Sequence, residues 1–559
     1  MWKILCLISF ITIPAKAQKT ESNNYFSAPL SIPLSLTGNF CEVRNNHFHS
    51  GLDLRTQGKE GLPVFATASG FISRIKISAV GYGKAIYITH PNGTVSVYGH
   101  LRMFADSIQQ YVELNQHKRE FFEIELFPDS TLFPVLRGEL IALSGNSGGS
   151  QAPHLHFEIR DRYTEEPLNP LLHGFVVTDT VFPVFNSIGV YQYEKGVFTK
   201  IVLADLIPLN DSVYACTDTI RINSSIDSIA VAFSAYDKAL APDSNELGIY
   251  TATLISKSDT VYHYAYNRFN FSDTRYVNAH IDYETKITHN IELERCYTLP
   301  GDSFPLFRNA GKGIIVFNDS VLDLKLIIRD INGNTSTLLL EIAKIKDQIL
   351  TQSKSTIINF KEDQTLKTKH ASLIILKGNL YQNIINKKMR ETKNKKFLSP
   401  VISVFDKTVP LHKGAELCID IINVPLKYRQ KALVAQINDY GMITGSANGI
   451  LNRNKIKTTI RSFGNYAITI DTIAPIIDDF QLGYDSISLC NFLSLKIKDD
   501  LSGIENYNGT IDHKWNIMEY DAKTDKLICY LPKKFFGPHY LKIEVTDKRK
   551  NKTLYQNYF

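Results

Sequence analysis

The stretch Ala152-Pro153-His154-Leu155-His156-Phe157-Glu158-Ile159 decides how the N-terminal third of the chain is read. Polar and apolar residues alternate through it. In a β-strand alternate residues share a face. Leu155, Phe157 and Ile159 therefore turn to a core, while His154, His156 and Glu158 share the other face. Two imidazoles at i and i+2 reach one small site together, so that one can hold a metal ion while the other stands beside it. Just upstream lies a Gly-rich loop, Gly145-Asn146-Ser147-Gly148-Gly149.

Working outward, His47-Phe48-His49-Ser50-Gly51-Leu52-Asp53 sets an imidazole four residues from a carboxylate. Ser50-Gly51 followed by Leu-Asp-Leu argues for a turn entering a strand rather than a helix. His49, Asp53 and His156 then offer N, O and N ligands. Zinc accepts that set in a four-coordinate site and keeps one position for water. Between the two segments, Ala85–His90 runs through Pro91-Asn92-Gly93-Thr94 into Val95–His100. Asn-Gly between alternating apolar residues is a hairpin signal. Strict alternation puts Ser96, Tyr98 and His100 on one face, with His100 at the strand end. Ser50 lies beside His49, but nothing around it forms a nucleophile elbow, and no Ser-His-Asp or Cys-His order competes with the metal reading.

These three motifs together resemble the lysostaphin-type (LytM-type) zinc endopeptidases, whose catalytic fold is the duplicated hybrid motif. The resemblance rests on His49-x-x-x-Asp53, on Tyr98-Gly99-His100-Leu101 and on His154-Leu155-His156, in that order, and covers roughly residues 27–172. It implies His49, Asp53 and His156 as ligands of one Zn2+ per chain. It implies His154 as general base or proton shuttle and His100 as stabiliser of the oxyanion. Asn146, Ser147, Gly148 and Gly149 become part of the substrate groove. The implied activity is cleavage of peptide cross-links in bacterial peptidoglycan, with stem peptides as the partner. Members often read Ser-Thr-Gly-Pro ahead of the His-Leu-His strand. Here Ser150-Gln151-Ala152-Pro153 stands in that place, which bears on groove shape and not on the metal ligands. Some members have lost ligands and act as activators of other wall hydrolases. A catalytically idle activator or scaffold is therefore the alternative expectation.

Composition sets the frame. At roughly 150 residues per domain, 559 residues make three to four domains. Hydrophobic residues at 44% and charged residues at 21% exclude a largely disordered chain. Twenty-eight Tyr and 31 Phe against 5 Met favour strands. Met1–Ala17 reads as an export leader: Lys3, an apolar run over Ile4–Pro14, and Ala15-Lys16-Ala17 as cleavage site. Nothing after it reaches transmembrane length, so the expected location is the periplasm or cell envelope. The net charge of +6, to which Lys3 and Lys16 contribute two, forms no basic stripe and gives nucleic-acid binding no support. Beyond Cys6, six cysteines stand singly with no C-x-x-C. Pairing after export and packing as small apolar groups both remain open.

The whole chain reads as all-β. The exception is the charged stretch Asp106–Glu125, which suits a helix. Expected units are the leader (1–17), the peptidase-like unit (18–174), a β-sandwich (175–345), a β-rich unit (346–474) and an immunoglobulin-like sandwich (475–559). Leu326–Leu340 and Ile543–Tyr558 each read as strand, Asp-led turn, strand, the closing hairpin of an immunoglobulin- or fibronectin-like sandwich. These tail units are expected to position the catalytic unit or to bind envelope proteins. His47, His90, His117, His173, His280 and His412 read as turn, surface or packing residues. So do Asp237, Asp243, Asn245 and Glu246, and Asp499 with Asp500, as solvated turns without calcium-loop spacing.

Overall fold

The computed structural model describes residues 25–238, 245–304, 311–345, 357–385, 387–422 and 424–559. The leader, Asp243 and the start of the unit expected from residue 346 lie outside them. The described chain is overwhelmingly β. Its longest helix, Asp106–Arg119, sits inside the charged insertion. No helix among the described residues is long and apolar enough to cross a membrane.

The N-terminal sheet sets Leu52–Arg55, His154–Asp161, Thr94–Phe104, Lys84–Thr89 and Gly70–Ile77 side by side, all antiparallel. The hairpin at Asn92-Gly93 joins two of these strands. Leu155, Phe157 and Ile159 are fully buried, as their alternation requires. The second unit is a 12-stranded arrangement that ends in the hairpin Val321–Arg329 with Thr335–Ile345. Residues 364–470 form two five-stranded antiparallel sheets on a shared core. Residues 476–558 form two four-stranded ones on a smaller core. Among the described residues all six cysteines are free.

The two Asp-led hairpins are built alike. Asp330 Oδ1 accepts from the backbone N–H of Gly333 and Asn334, and Asp547 Oδ1 from Arg549 and Asn551. In each, the Asn four residues on donates its amide to the other carboxylate oxygen.

His90 is a buried residue of the hairpin turn, with Nδ1 against the carbonyl of Ser69 and Nε2 against Ser96 Oγ. Two readings change. Asp237 is not in a solvated turn; it is 5% exposed near the end of Ser228–Lys238. Ser96 and Tyr98 do not share a face with His100. Tyr98 pairs with Phe157 and is buried in the core. His100 escapes the alternation because its φ is +58°. That left-handed residue shifts the strand by one position and turns the imidazole to the opposite face, at a cost of about 1–2 kcal/mol.

The first two units are not beads on a string. One hydrophobic core runs from Leu54 and Phe157 through Phe48 to Phe269, Phe304 and Leu326. Phe48 stacks on Phe304 with ring centroids 5.0 Å apart and planes 9° from parallel. The C-terminal sandwich also docks on the peptidase-like unit. Lys84 Nζ meets Glu519 at 2.7 Å and Arg102 meets Asp485 at 2.9 Å. Because Phe48 is buried in a core that both units share, Phe48→Ala should cost about 3–5 kcal/mol. Urea unfolding checks this; an unchanged midpoint would mean the two units do not stabilise one another.

Candidate metal centre

Strand register brings the site together. His156 lies directly opposite Asp53 on one side and Gly99 on the other. His49 arrives from the turn before Leu52–Arg55. That turn lies flat on the neighbouring strand because Gly51 has no side chain; a Cβ there would meet the carbonyl oxygen of Phe157 at 2.3 Å.

His49 Nε2 and His156 Nδ1 are 3.1 Å apart, and each is 3.0 Å from Asp53 Oδ1. The outer nitrogens fix the tautomers. His49 Nδ1 is 2.7 Å from the carbonyl of Asn39, which can only accept. His156 Nε2 is 2.8 Å from Glu158 Oε1, a carboxylate. Each outer nitrogen therefore carries a hydrogen, which leaves the inner nitrogens to present lone pairs to a bound cation beside the Asp53 carboxylate. Three acceptors facing one another at this distance repel unless a proton or a metal cation lies among them. Zinc bonds of about 2.0–2.2 Å in a tetrahedron place ligand atoms about 3.3–3.6 Å apart, a few tenths of an ångström more than the 3.0–3.1 Å seen. The two outer hydrogen bonds are the supports that metal-binding histidines need. The donor set thus fits zinc.

The electrostatics agree. Burial opposes charge on His156, but hydrogen bonds to Asp53 and Glu158 outweigh it and push the imidazole up to about 9, so that without a metal a proton on Nδ1 takes the place of the cation. Burial would likewise raise Asp53, yet His49, then His154 and His156, hold it well below the carboxylate range. The site calls for positive charge.

Glu158 is the residue that motif reading undervalued. It is fully buried. Ser50 Oγ and Tyr82 Oη both donate to its Oε1 at 2.6 Å, and Arg160 Nε donates to its Oε2. Burial would raise its pKa, but Arg160 and then His156 hold it well below the carboxylate range. The signal was present: Arg160 extends the alternation of His154, His156 and Glu158 on one face. Asn39 and Tyr82 left no such trace.

His154 and His100 stand beside the three ligands. His154 Nδ1 is 2.8 Å from the carbonyl of Ala152, and its Nε2 is 3.2 Å from Asp53 Oδ1. His100 Nδ1 is 2.8 Å from the carbonyl of Ser147, and its ring lies 4.8 Å from that of His154. Burial, then His156 and His154, push His100 down to about 3. Both imidazoles are anchored through Nδ1, and His154 turns its Nε2 toward Asp53 beside the three candidate ligand atoms.

The groove is a cavity of about 780 Å³ that contains all five residues. Phe271 and Thr274 from the second unit form part of its wall. Of the expected groove residues only Gly149 lines it. Asn146, Ser147 and Gly148 sit behind, because Gly148 (φ +69°) packs where a Cβ would lie 2.3 Å from the backbone nitrogen of Gly83. Ser147 acts through His100, and the carbonyl of Asn146 accepts from Lys523 of the C-terminal sandwich. His47 is exposed and bonds the carbonyl of Asn45.

His49→Ala, Asp53→Ala and His156→Ala should each release the metal. Glu158→Gln should weaken it by about 10–100-fold, because the amide cannot reproduce the carboxylate's pull on Nε2–H. Metal content after dialysis against a graded chelator series reads this order. Wild-type retention in Glu158→Gln would remove Glu158 from the support.

Residues 47–117 match peptidase family M23, a span that includes His49, Asp53 and His100; residues 355–471 match the Zu5-like domain. The DD-carboxypeptidase/endopeptidase Mpg of Neisseria meningitidis serogroup B is 33% identical over 123 residues, 22% of this chain and 22% of that protein. An uncharacterized metalloprotease of Haemophilus influenzae is 31% identical over 123 residues, 22% of this chain and 20% of that one. The chain thus spans about a fifth of the length of the curated relatives it matches. Among solved structures, the catalytic domain of the antimicrobial peptidase lysostaphin from Staphylococcus simulans is 24% identical. That match covers 25% of this chain and 88% of the other, with a TM-score of 0.19. With its motifs on neighbouring strands of one sheet, the N-terminal unit of this chain is similar to peptidase family M23 over residues 47–117.

Proposed function

We propose that this protein is an exported zinc-dependent endopeptidase that hydrolyses peptide cross-links of bacterial peptidoglycan. The observation that carries this reading is the meeting of three potential ligand atoms from His49, Asp53 and His156, with two further imidazoles over the same groove. An idle activator has no need of that complete set. The M23 match and the Mpg relative support a wall peptide as substrate.

A zinc ion held by the three ligands supplies an acidified water and a polarised peptide carbonyl. The rest is the work of side chains. His154 receives the water's proton at Nε2, since its Nδ1–H is committed to Ala152. His100 in its neutral form also presents an acceptor Nε2, because Ser147 takes its Nδ1–H. It can donate to the oxyanion only when solvent has protonated it beforehand. The proton that His154 takes from the water passes to the leaving amine. Gly149 and Ser150 on one side, and Phe271 with Thr274 on the other, hold the peptide across the metal. The C-terminal sheets are left to bind envelope partners.

His154→Ala and His100→Ala should keep zinc and lower turnover by about 10²–10⁴-fold. Zinc content and rate on purified sacculi are measured together, and mass spectrometry of digested muropeptides identifies the bond cut. Near-normal rates in both variants would place the chemistry elsewhere.

A further inference from the structure

Away from the groove, the described residues hold two further clusters of three carboxylates, each with ligand atoms within 4.8 Å of one another. They occupy equivalent places in two units. Asp179 and Asp471 lie in the entering segments Asp179-Thr180-Val181-Phe182-Pro183 and Asp471-Thr472-Ile473-Ala474-Pro475. Asp237 and Asp499 stand at or just past the end of a strand, and Asp330 and Asp547 lead the closing hairpins.

The two clusters differ in how their oxygens are satisfied. In the C-terminal one, Asp471 accepts from the N–H of Ile473 and Ser502, Asp499 from Leu501 and Gly503, and Asp547 from Arg549 and Asn551. Hydrogen bonds account for all three, and we draw nothing from it. In the other, Asp330 is held by its turn, and Asp179 Oδ1 accepts from Val181 N–H. Asp237 is 5% exposed, and its Oδ1 meets no donor. No Lys or Arg among the described residues forms an ion pair with any of the three. Burial, then the charges of Asp330 and Asp179, push the Asp237 carboxyl up to about 7. A buried carboxylate facing two others without a cation is costly.

We propose that Asp179, Asp237 and Asp330 form a calcium site where the chain passes from the peptidase unit into the second unit. The ligands are oxygens without a histidine or thiolate, which suits a hard cation and not zinc. They come from a linker, a strand end and a turn. Calcium tolerates such irregular geometry at 2.3–2.6 Å, whereas magnesium demands a near-ideal octahedron. A cavity of about 30 Å³ bordered by the three aspartates and Asn332 has room for an ion with a water or two, and not for an organic ligand. The ion would tie the entering segment to the closing hairpin, so calcium should stiffen the joint that sets Phe271 against the groove.

The test is calorimetric titration of the full chain, zinc retained, with calcium chloride in metal-depleted buffer, alongside thermal unfolding. One calcium per chain and a raised midpoint are expected. Asp237→Asn should weaken binding at least tenfold and abolish the thermal shift, and Asp179→Asn, at a half-buried position, should do the same if the first variant folds poorly. Asp499→Asn should leave the calcium response intact. His49→Ala, which loses zinc, should also keep it. No heat and no thermal shift at calcium up to about 10 mM, tenfold above the weakest extracellular sites, overturns the proposal. So does wild-type affinity in both Asp237→Asn and Asp179→Asn, loss of the response in His49→Ala, or a response to magnesium alone.

Discussion

The hydrogen bond between Glu158 and His156 is the interaction on which the rest of the site depends. It fixes the hydrogen on Nε2 and so leaves Nδ1 free to face Asp53 and His49. Without it His156 could adopt the other tautomer, and an N–H would point where a lone pair is required. Glu158 can do this only if it stays ionised in a fully buried position, which burial alone opposes. Arg160, Ser50 and Tyr82 together supply the compensating charge and donors. An unpaired carboxylate there would neutralise instead.

That support reaches beyond the M23 unit. The guanidinium of Arg160 lies 4.5 Å from the ring centroid of Phe271 and 5.5 Å from that of Tyr87. Phe271 belongs to the second unit and also lines the groove. One aromatic ring therefore shields the buried ion pair under His156 and shapes the wall above it. Phe48 binds the two units from the core side, one residue before His49. The ligand turn is thus fixed by packing against a neighbour as well as by its own strand.

Much of this was legible in the sequence because alternation is a strict rule. Leu155, Phe157 and Ile159 inward and His154, His156 and Glu158 outward follow from a period of two, and register then sets Asp53 against His156. Legibility failed where one residue broke the period. His100 reaches the site through a left-handed backbone, which no pattern of residue types announces in a histidine. It failed again where partners are far apart in sequence. Asp237 looked solvated among neighbouring acidic residues, yet it is buried with Asp179 and Asp330, which only the closing of the sheet brings near. Asn146 and Ser147 looked like groove wall because Gly-rich loops often are. Close packing of Gly148 on the loop at Gly83 puts them behind His100 instead.

The position of His100 shows why the catalytic unit is not a free module. A left-handed histidine persists only where its surroundings over-determine it. Its Nδ1 is held by Ser147, and Ser147 Oγ accepts from the backbone nitrogen of Lys84 while donating to the carbonyl of Leu101. Lys84 and Arg102, on either side of that knot, are the residues to which Glu519 and Asp485 of the C-terminal sandwich bind. Lys84 is nearly buried, so its pair with Glu519 is screened far less by salt than a surface bridge. Lys523 adds a hydrogen bond to the carbonyl of Asn146. The last domain of the chain therefore braces the loop and strand that aim His100, while the second unit braces His49 and Glu158. Two halves of one groove are held from outside by different parts of the tail, and a displacement of either tail unit would be felt at a different nitrogen.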